Sequence, residues 1–252
     1  MGFRLRKLRK ITREQGLGPA TAFLVRDVYY RALQLLAFPL HRGKAASDQR
    51  DLLRELIAEV SCRTTSSVLE IGSRAVSDTT ARGLFPSTVR YTGFDLLDGP
   101  NVDITGDTHE LSRHFPPESF DAVFSRSVFE HLLMPWKAVL EINKVLKVGG
   151  LCLVATHPAW PPHELPWDFW RYQENAFWAL FNKATGFELI ATTTSTPARL
   201  FPASRELYLS GTIKTICPMG VVALARKTGP HDPRLSWPVT VEQITPTSYP
   251  QC

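Results

Sequence analysis

Two carboxylates stand near the ends of runs that are typical of buried strands, and the second of them could bind a hydroxyl-bearing ligand. Glu70 lies in the apolar run 68–71, two positions before Gly72, and Asp95 closes the run 89–95. An unpartnered carboxylate is costly inside a buried strand, whereas a glycine lets a ligand approach the backbone closely. The spacing from Gly72 places Asp95 at the tip of the next strand, where it can accept the hydroxyls of a ribose. A turn or helix-capping role is the alternative for Asp95.

Three histidines, His131, His157 and His163, are the candidates for proton transfer. A histidine with a pKa near neutrality can accept the proton of a reacting hydroxyl. His131 follows a predicted strand, and the other two lie in the segment 156–172, whose four prolines and five aromatic residues predict a stiff loop with flat faces. We interpret this loop as an acceptor site. A packing loop with structural histidines is the alternative, and a structural role is equally open for His131.

The elements that must position these residues alternate between strands and helices, which favours an α/β fold with a parallel sheet. Helices are predicted at 48–60, capped by Ser47, and at 77–84, 135–146 and 173–185. Strands are predicted at 68–71, 89–95, weakly at 102–104, from Phe120 onward, and at 151–155, 187–193 and 219–227, with an insertion near 196–217.

The run 68–76 resembles motif I of class I S-adenosylmethionine methyltransferases, in which an acid in a strand is followed by three spaced glycines. Glu70 and Gly72 fit that motif. Arg74 and Val76 stand where the family has its second and third glycines.

The block 119–155 resembles the same family more closely. It contains a Glu-His pair at 130–131, a helix that begins with a proline, and a Gly-Gly pair at 149–150 that ends this helix before a strand. From the order of these motifs over 67–156, the chain is identified as a member of the class I methyltransferase family, of the type 11 kind.

The resemblance implies a Rossmann-like class I methyltransferase fold, with a seven-stranded, mostly parallel sheet, an antiparallel last strand and helices on both faces. It also implies S-adenosylmethionine as the cofactor, with Asp95 on the ribose and an acid after the third strand on the adenine amino group. Asp107 best matches that acid, with Asp103 as its rival and a turn role as the alternative. The expected cofactor-binding residues are Glu70, Gly72, Ser73, Arg74, Asp95, Asp107, Thr108 and Ser125.

The predicted activity is methyl transfer from S-adenosylmethionine to a small-molecule or glycan acceptor, with a hydroxyl favoured. The loop 156–172 also resembles a stretch of some bacterial small-molecule and glycan methyltransferases. One alternative is a membrane-associated binding protein without activity, because Arg74 and Val76 replace glycines that line the pocket. The other is a nicotinamide-dependent oxidoreductase, although residues 73–77 lack G-x-G-x-x-G and Glu70 would be unexplained.

Charge is concentrated at the start of the chain. The net charge is +5, and the first fifty residues carry eleven Lys and Arg against three Asp and Glu. Leu5, Leu8 and Ile11 share one helical face opposite cations, so peripheral contact of residues 3–40 with an anionic membrane is predicted. A solvated basic helix is the alternative. The rest of the chain is slightly acidic, which argues against a nucleic-acid partner.

The four cysteines are widely spaced, which argues against a disulfide framework and a cysteine zinc site. Cys152 is predicted to be a buried apolar residue. Glu130 and His131 alone are too few ligands for a metal ion, so no metal is predicted. No run is apolar enough for a transmembrane helix, and a cytoplasmic location, with peripheral contact at the inner face of the membrane, is expected. The oligomeric state is open.

Three regions are predicted along the chain. Residues 1–46 form a basic helical arm, 47–228 the methyltransferase domain, and 229–252 a loose tail, because five prolines interrupt the tail and it has little periodicity.

Overall fold

The computed structural model describes residues 11–37, 51–75, 80–200 and 215–250. The chain divides into two compact units, Met1–Asp48 and Gln49–Cys252. The predicted boundaries at 46–47 and 228–229 remain predictions.

The first unit contains one long helix, α1, which spans Leu17–Ala37. Pro19 is tolerated because it lies in the first turn, where no helical partner is needed for its missing N–H. Leu24, Val25 and Val28 on this helix are exposed. No helix in the described part of the chain is long and apolar enough to span a membrane. The cationic stretch 3–10 lies outside the described residues.

The second unit is built on a seven-stranded sheet, as predicted. Its strands are β1 (Ser66–Ile71), β2 (Val89–Asp95), β3 (Ile104–Thr105), β4 (Phe120–Arg126), β5 (Leu146–Thr156), β6 (Phe187–Ala198) and β7 (Cys217–Lys227). Their order is β3-β2-β1-β4-β5-β7-β6. Neighbours from β3 to β5 pair in parallel, and β7 lies antiparallel between β5 and β6. The predicted Rossmann-like methyltransferase fold is therefore confirmed.

Four α-helices of the second unit are α2 (Leu52–Ser61), α3 (Pro135–Val145), α4 (Ala176–Leu180) and α5 (Val241–Ile244). Three short 3₁₀ helices span Arg82–Leu84, Thr108–Arg113 and Phe129–His131. Helix α2 begins where the Asp51 carboxylate accepts a hydrogen bond from the Arg54 amide.

Each face of the sheet has its own apolar core, because side chains alternate along a strand. On β5, Cys152 and Val154 pack on one face with Val139 and Ile142 of α3. Leu151 and Leu153 pack on the other face with the α2 stripe that contains Leu52, Leu56 and Val60. Cys152 is buried as predicted, and burial raises the pKa of its thiol. The sheet is thus fixed from both sides, and its strand ends are free to build a site.

Two predicted helices are shorter in the structure. The helix expected at 77–84 appears within the described residues as the single 3₁₀ turn Arg82–Leu84. Its Arg82 side chain donates hydrogen bonds to Asn101 and Asp103, and these tertiary contacts hold a turn instead of a helix. The helix expected at 173–185 is reduced to Ala176–Leu180, because Asn182 accepts hydrogen bonds from the next backbone amides and closes the chain before Gly186.

The segment predicted as a loose tail is packed against the second unit over its described residues, which end at 250. Asn143 of α3 donates to the Gly229 carbonyl and accepts from the His231 amide. Lys137 donates to the Val239 carbonyl at 2.8 Å, and Val241 is buried. Prolines supply rigid, extended backbone for this packing, so their number did not indicate disorder.

Candidate functional site

A cavity of about 1090 Å³ opens where β1, β2, β4 and β5 end. This is the edge at which open α/β sheets bind ligands. Eight of the eleven residues expected in the site line it: Gly72, Arg74, Asp95, Asp107, Thr108, His131, His157 and His163. Gly72, Asp95 and Asp107 lie at or just after the ends of β1, β2 and β3, and the histidines follow β4 and β5. One cavity therefore joins two chemically distinct sets of residues.

Asp95 is fixed at the tip of β2 by backbone amides. Its Oδ2 accepts from the Arg74 amide and its Oδ1 from the Leu97 amide, both at 3.0 Å. Each carboxylate oxygen retains a further lone pair. The side chain lines the cavity beside Leu96 and Leu97, so it can accept ligand hydroxyls next to an apolar wall.

Asp107 is held by a histidine that sequence reasoning missed. His109 is buried, and its Nδ1 lies 2.6 Å from Asp107 Oδ1. Its Nε2 accepts from the Met134 amide, so the proton must be on Nδ1. Burial raises the pKa of Asp107, but the hydrogen bonds from His109 oppose burial and the pKa is lowered overall. Asp107 is therefore an ionised acceptor at the cavity wall.

Gly72 has φ +76°, a left-handed conformation that favours glycine. A Cβ at this position would overlap Cγ2 of Val128, which lines the same cavity. The glycine is thus required by the close approach of Val128 as well as by the turn after β1.

Two arginines bring positive charge to the cavity. Nε of Arg74 lies 3.9 Å from Asp95 Oδ1, and the Arg74 stem packs on Gly99. Arg126, at the end of β4, donates to Glu70 at 3.3 Å and was not identified from the sequence. Both side chains line the cavity, so an anionic group of a ligand would find a cationic wall.

Three expected residues do not line the cavity. Glu70 is buried beneath it and bonds to Tyr91, Asn101 and Arg126; burial raises its pKa, and Arg126 opposes that shift. Ser73 and Ser125 are also buried, and their hydroxyls have no hydrogen-bond partner among the described residues.

The rival acid, Asp103, likewise lies outside the cavity lining. It accepts from the Gly93 amide and from Arg82, which bind it to the sheet edge. These contacts give Asp103 a structural role and leave Asp107 as the acid that faces the cavity.

The three histidines of the cavity share one arrangement, in which Nδ1 lies next to a backbone carbonyl. His131 Nδ1 lies 2.5 Å from the Trp167 carbonyl, His157 Nδ1 lies 3.1 Å from the Met219 carbonyl, and His163 Nδ1 lies 3.2 Å from the Pro161 carbonyl. Because a carbonyl only accepts, each Nδ1 carries the proton and each Nε2 is left with its lone pair. The Nε2 atoms can therefore act as bases or ligands, although the Ser127 hydroxyl lies within hydrogen-bond distance, 3.2 Å, of His157 Nε2.

Glu130 lies beneath these rings and is fully buried. Its Oε2 accepts from Thr156 at 2.6 Å, and its Oε1 lies 3.3 Å from His157 Nε2. His157 stacks on Trp160 with ring centroids 4.6 Å apart. A proton taken by His157 would thus be stabilised by a buried carboxylate.

The loop that carries His163 is held by an internal ion pair. Asp168 accepts two hydrogen bonds from Arg171, at 2.6 and 2.7 Å, and one from the His163 amide at 2.9 Å. The Arg171 hydrogen bonds lower the pKa of Asp168 to about 2, although burial acts in the opposite direction. The predicted stiffness of the loop therefore has a specific origin in these contacts.

Residues far along the chain complete the cavity and were missed. The segment 245–249 lines it, and the Tyr249 ring lies near His131 and Trp167. No local pattern marks this segment, since its position depends on packing of residues 229–241 against α3. The aromatic richness of 156–172 was the available signal for Trp160 and Trp167.

Comparison with known proteins agrees with this geometry. Residues 69–154 match the family described as a methyltransferase domain. A methyltransferase candidate of Bacillus halodurans shares 17% identity, with a TM-score of 0.53 over 70% of this chain and 99% of that one. The YcgJ protein of Bacillus subtilis shares 21% identity, with a TM-score of 0.52 over 70% and 98%. No curated protein sequence matches significantly.

These similarities confirm the resemblance to a methyltransferase domain and its fold, and S-adenosylmethionine is the cofactor that this resemblance implies. The residues present fit that molecule: Asp95 has acceptor capacity for a ribose, and two arginines face the cavity.

Proposed function

We propose that this protein transfers the methyl group of S-adenosylmethionine to a hydroxyl of a small-molecule or glycan acceptor. The observation that carries the proposal is the single cavity, which joins an end lined by Gly72, Asp95 and Asp107 to an end lined by three histidines. The first end suits a nucleoside, and the second suits a group that must lose a proton.

The cofactor supplies a methyl group already activated by the sulfonium. In this proposal Asp95 binds the ribose hydroxyls, Asp107 the adenine amino group, and Arg74 or Arg126 the methionyl carboxylate. The protein then mainly aligns the acceptor and excludes water.

We assign proton acceptance to His157. Its Nε2 is unprotonated in the neutral ring, and buried Glu130 lies 3.3 Å away to stabilise the imidazolium. When bound, the cofactor would supply the methyl carbon, and its sulfur would keep the electron pair of the broken carbon–sulfur bond. His157 would accept the proton of the acceptor hydroxyl, so that the products are S-adenosylhomocysteine and a methyl ether.

The cofactor assignment is tested by titrating S-adenosylhomocysteine into the wild type, Asp95→Asn and the matched control Asp98→Asn by calorimetry. Asp98 is exposed and does not line the cavity. Loss of charged hydrogen bonds to the ribose should weaken binding roughly 10- to 100-fold in Asp95→Asn and leave Asp98→Asn unchanged. Equal affinity in all three proteins would contradict the assignment.

The acceptor class is tested by mass spectrometry with S-adenosylmethionine and a panel of sugars, lipid-linked glycans and matching amines. Methylation of hydroxyl compounds, abolished in His157→Gln, is expected. Methylation of amines alone would exclude the hydroxyl proposal.

We also propose that the first unit contacts an anionic membrane at its cytoplasmic face. Leu17, Val25 and Val28 of α1 are 78%, 68% and 64% exposed. The first fifty residues carry the excess of Lys and Arg. Apolar side chains beside cations are what an interfacial helix requires.

A further inference from the structure

The histidine end of the cavity contains more coordinating groups than proton transfer needs. Glu130, His131 and His163 each offer a ligand atom, and these atoms lie within 4.8 Å of one another. Sequence reasoning counted Glu130 and His131 alone, because His163 lies 32 residues further along the chain. The fold brings the third ligand to them, with the His131 and His163 ring centroids 4.7 Å apart.

The two imidazoles are oriented as metal-binding histidines are. A ligating histidine characteristically donates its other ring N–H to a carbonyl or carboxylate, which fixes the tautomer. His131 Nδ1 is held by the Trp167 carbonyl and His163 Nδ1 by the Pro161 carbonyl, with Asp168 Oδ2 at 3.4 Å. Both Nε2 lone pairs are therefore available, and neither ring needs a proton there.

Glu130 supplies the independent observation. It is 0% exposed, and its Oε1 has no hydrogen-bond partner among the described residues. Oε2 of Glu164 is buried and unpartnered in the same part of the structure, 3.7 Å from His131 Nε2. Buried carboxylates are normally paired or bound to a cation, so two unsatisfied carboxylate oxygens beside two imidazole lone pairs indicate an additional cation.

We propose that Glu130, His131 and His163 bind a divalent transition-metal ion. The Glu164 carboxylate is not one of the three ligands, but it lies next to His131. A ligand set of two imidazoles and one carboxylate suits Zn²⁺ and its neighbours better than Mg²⁺ or Ca²⁺, which prefer oxygen ligands. His157 is not a ligand, but its Nε2 lies 3.3 Å from Glu130 Oε1, so the Glu130 carboxylate would be shared between the ion and the proton acceptor.

The role of this ion rests on the proposed function. Three protein ligands leave coordination positions open, and His131 and His163 line the cavity. An open position would take the oxygen atom of the acceptor hydroxyl.

The test is calorimetric titration of chelator-treated, tag-free protein with Zn²⁺ in the absence of cofactor. The variants are His163→Gln, Glu130→Gln and the control His114→Gln. His114 is exposed, and its ring contacts Phe94 instead of the cluster. The wild type and the control should bind one ion per chain, and the two cluster variants should bind at least tenfold more weakly.

The proposed metal site would be refuted if the wild type does not bind one ion per chain. It would also be refuted by unchanged binding in His163→Gln, or by loss of binding in the control. If Glu130→Gln does not fold, His163→Gln decides, because His163 lies on a loop and is partly exposed. Cofactor titration of the metal-free protein separates the two proposals. Zn²⁺ binding without S-adenosylhomocysteine binding would refute the proposed function alone, and the reverse result would refute the metal site alone.

Discussion

Gly72 combines two requirements in one residue, a positive φ and room for Val128. Gly72→Ala should lower the free energy of unfolding by about 2–5 kcal/mol, because left-handed strain and overpacking add. Gly83→Ala is the matched control, since a Cβ at Gly83 would meet open space. Urea unfolding of both variants measures the difference.

Adding Val128→Ala to Gly72→Ala separates the two causes. The double variant should recover the overpacking part of the loss and retain the backbone strain. If Gly72→Ala is no less stable than Gly83→Ala, the packing described here is wrong.

The stability of the loop 156–172 depends on pH through Asp168. Its pKa is about 2 in the folded protein, below the value of about 3.9 for an unfolded aspartate. Its stabilising effect is therefore fully present above about pH 5 and disappears as the pH falls toward 2, an effect of about 2–3 kcal/mol.

Asp168→Asn should consequently have a lower free energy of unfolding than the wild type at pH 7. This difference should become smaller as the pH falls from 4 to 2.5. Urea unfolding at these pH values measures the gap, with Asp98→Asn as the control. A gap that stays constant with pH would show that the Arg171 ion pair does not stabilise the fold.

At the scale of single residues, the local sequence pattern located a cavity-lining side chain where the end of a strand positions that side chain. Asp95 was predicted from its position at the end of a strand that is readable from the sequence, and Asp107 from the family resemblance; both line the cavity. Glu164 and His109 could not be found in this way, because their partners, His131 and Met134, are distant in sequence.

At the scale of elements, the strands of the sheet could be predicted from the sequence. The structures of two segments outside the sheet, 77–84 and 229–252, could not. Strand patterns and glycine stops located β1, β2, β5 and β7, because each depends on its own run of residues. Within the described residues, the helix expected at 77–84 is only the turn Arg82–Leu84, because Arg82 bonds to Asn101 and Asp103. The tail was misjudged because its prolines and its packing against α3 give no periodic signal.

The segment from α5 to Tyr249 closes one side of the cavity. A chain that ends at Thr240 lacks this segment, whereas a chain that ends at Pro250 retains it. The shorter chain should bind S-adenosylhomocysteine about tenfold more weakly, because the cavity opens to water. Its free energy of unfolding should also be about 1–3 kcal/mol lower, because the contacts of Val241 and Tyr249 with Met134 and Trp167 are lost.

Calorimetry and thermal unfolding of the two truncated chains measure these effects. Equal affinity in the two chains would mean that the segment covers a part of the cavity that the cofactor does not use.

At the scale of the whole molecule, charge asymmetry motivates the membrane proposal. The full chain should sediment with vesicles that contain phosphatidylserine and much less with pure phosphatidylcholine, since each nearby cation contributes about 1 kcal/mol of attraction. Val25→Asp combined with Val28→Asp should abolish the sedimentation. Val148→Asp changes an exposed valine of the second unit and is the control. Equal loss in the control would refute a role for α1.

The position of β7 has a consequence for synthesis. In the described sheet, β6 pairs with β7 alone, and β7 separates it from β5. Because a nascent chain emerges from its N-terminus, β6 emerges before β7, the strand that joins it to the sheet. Until β7 has emerged, β6 has no partner strand in the sheet and the edge of β5 is exposed to other strands.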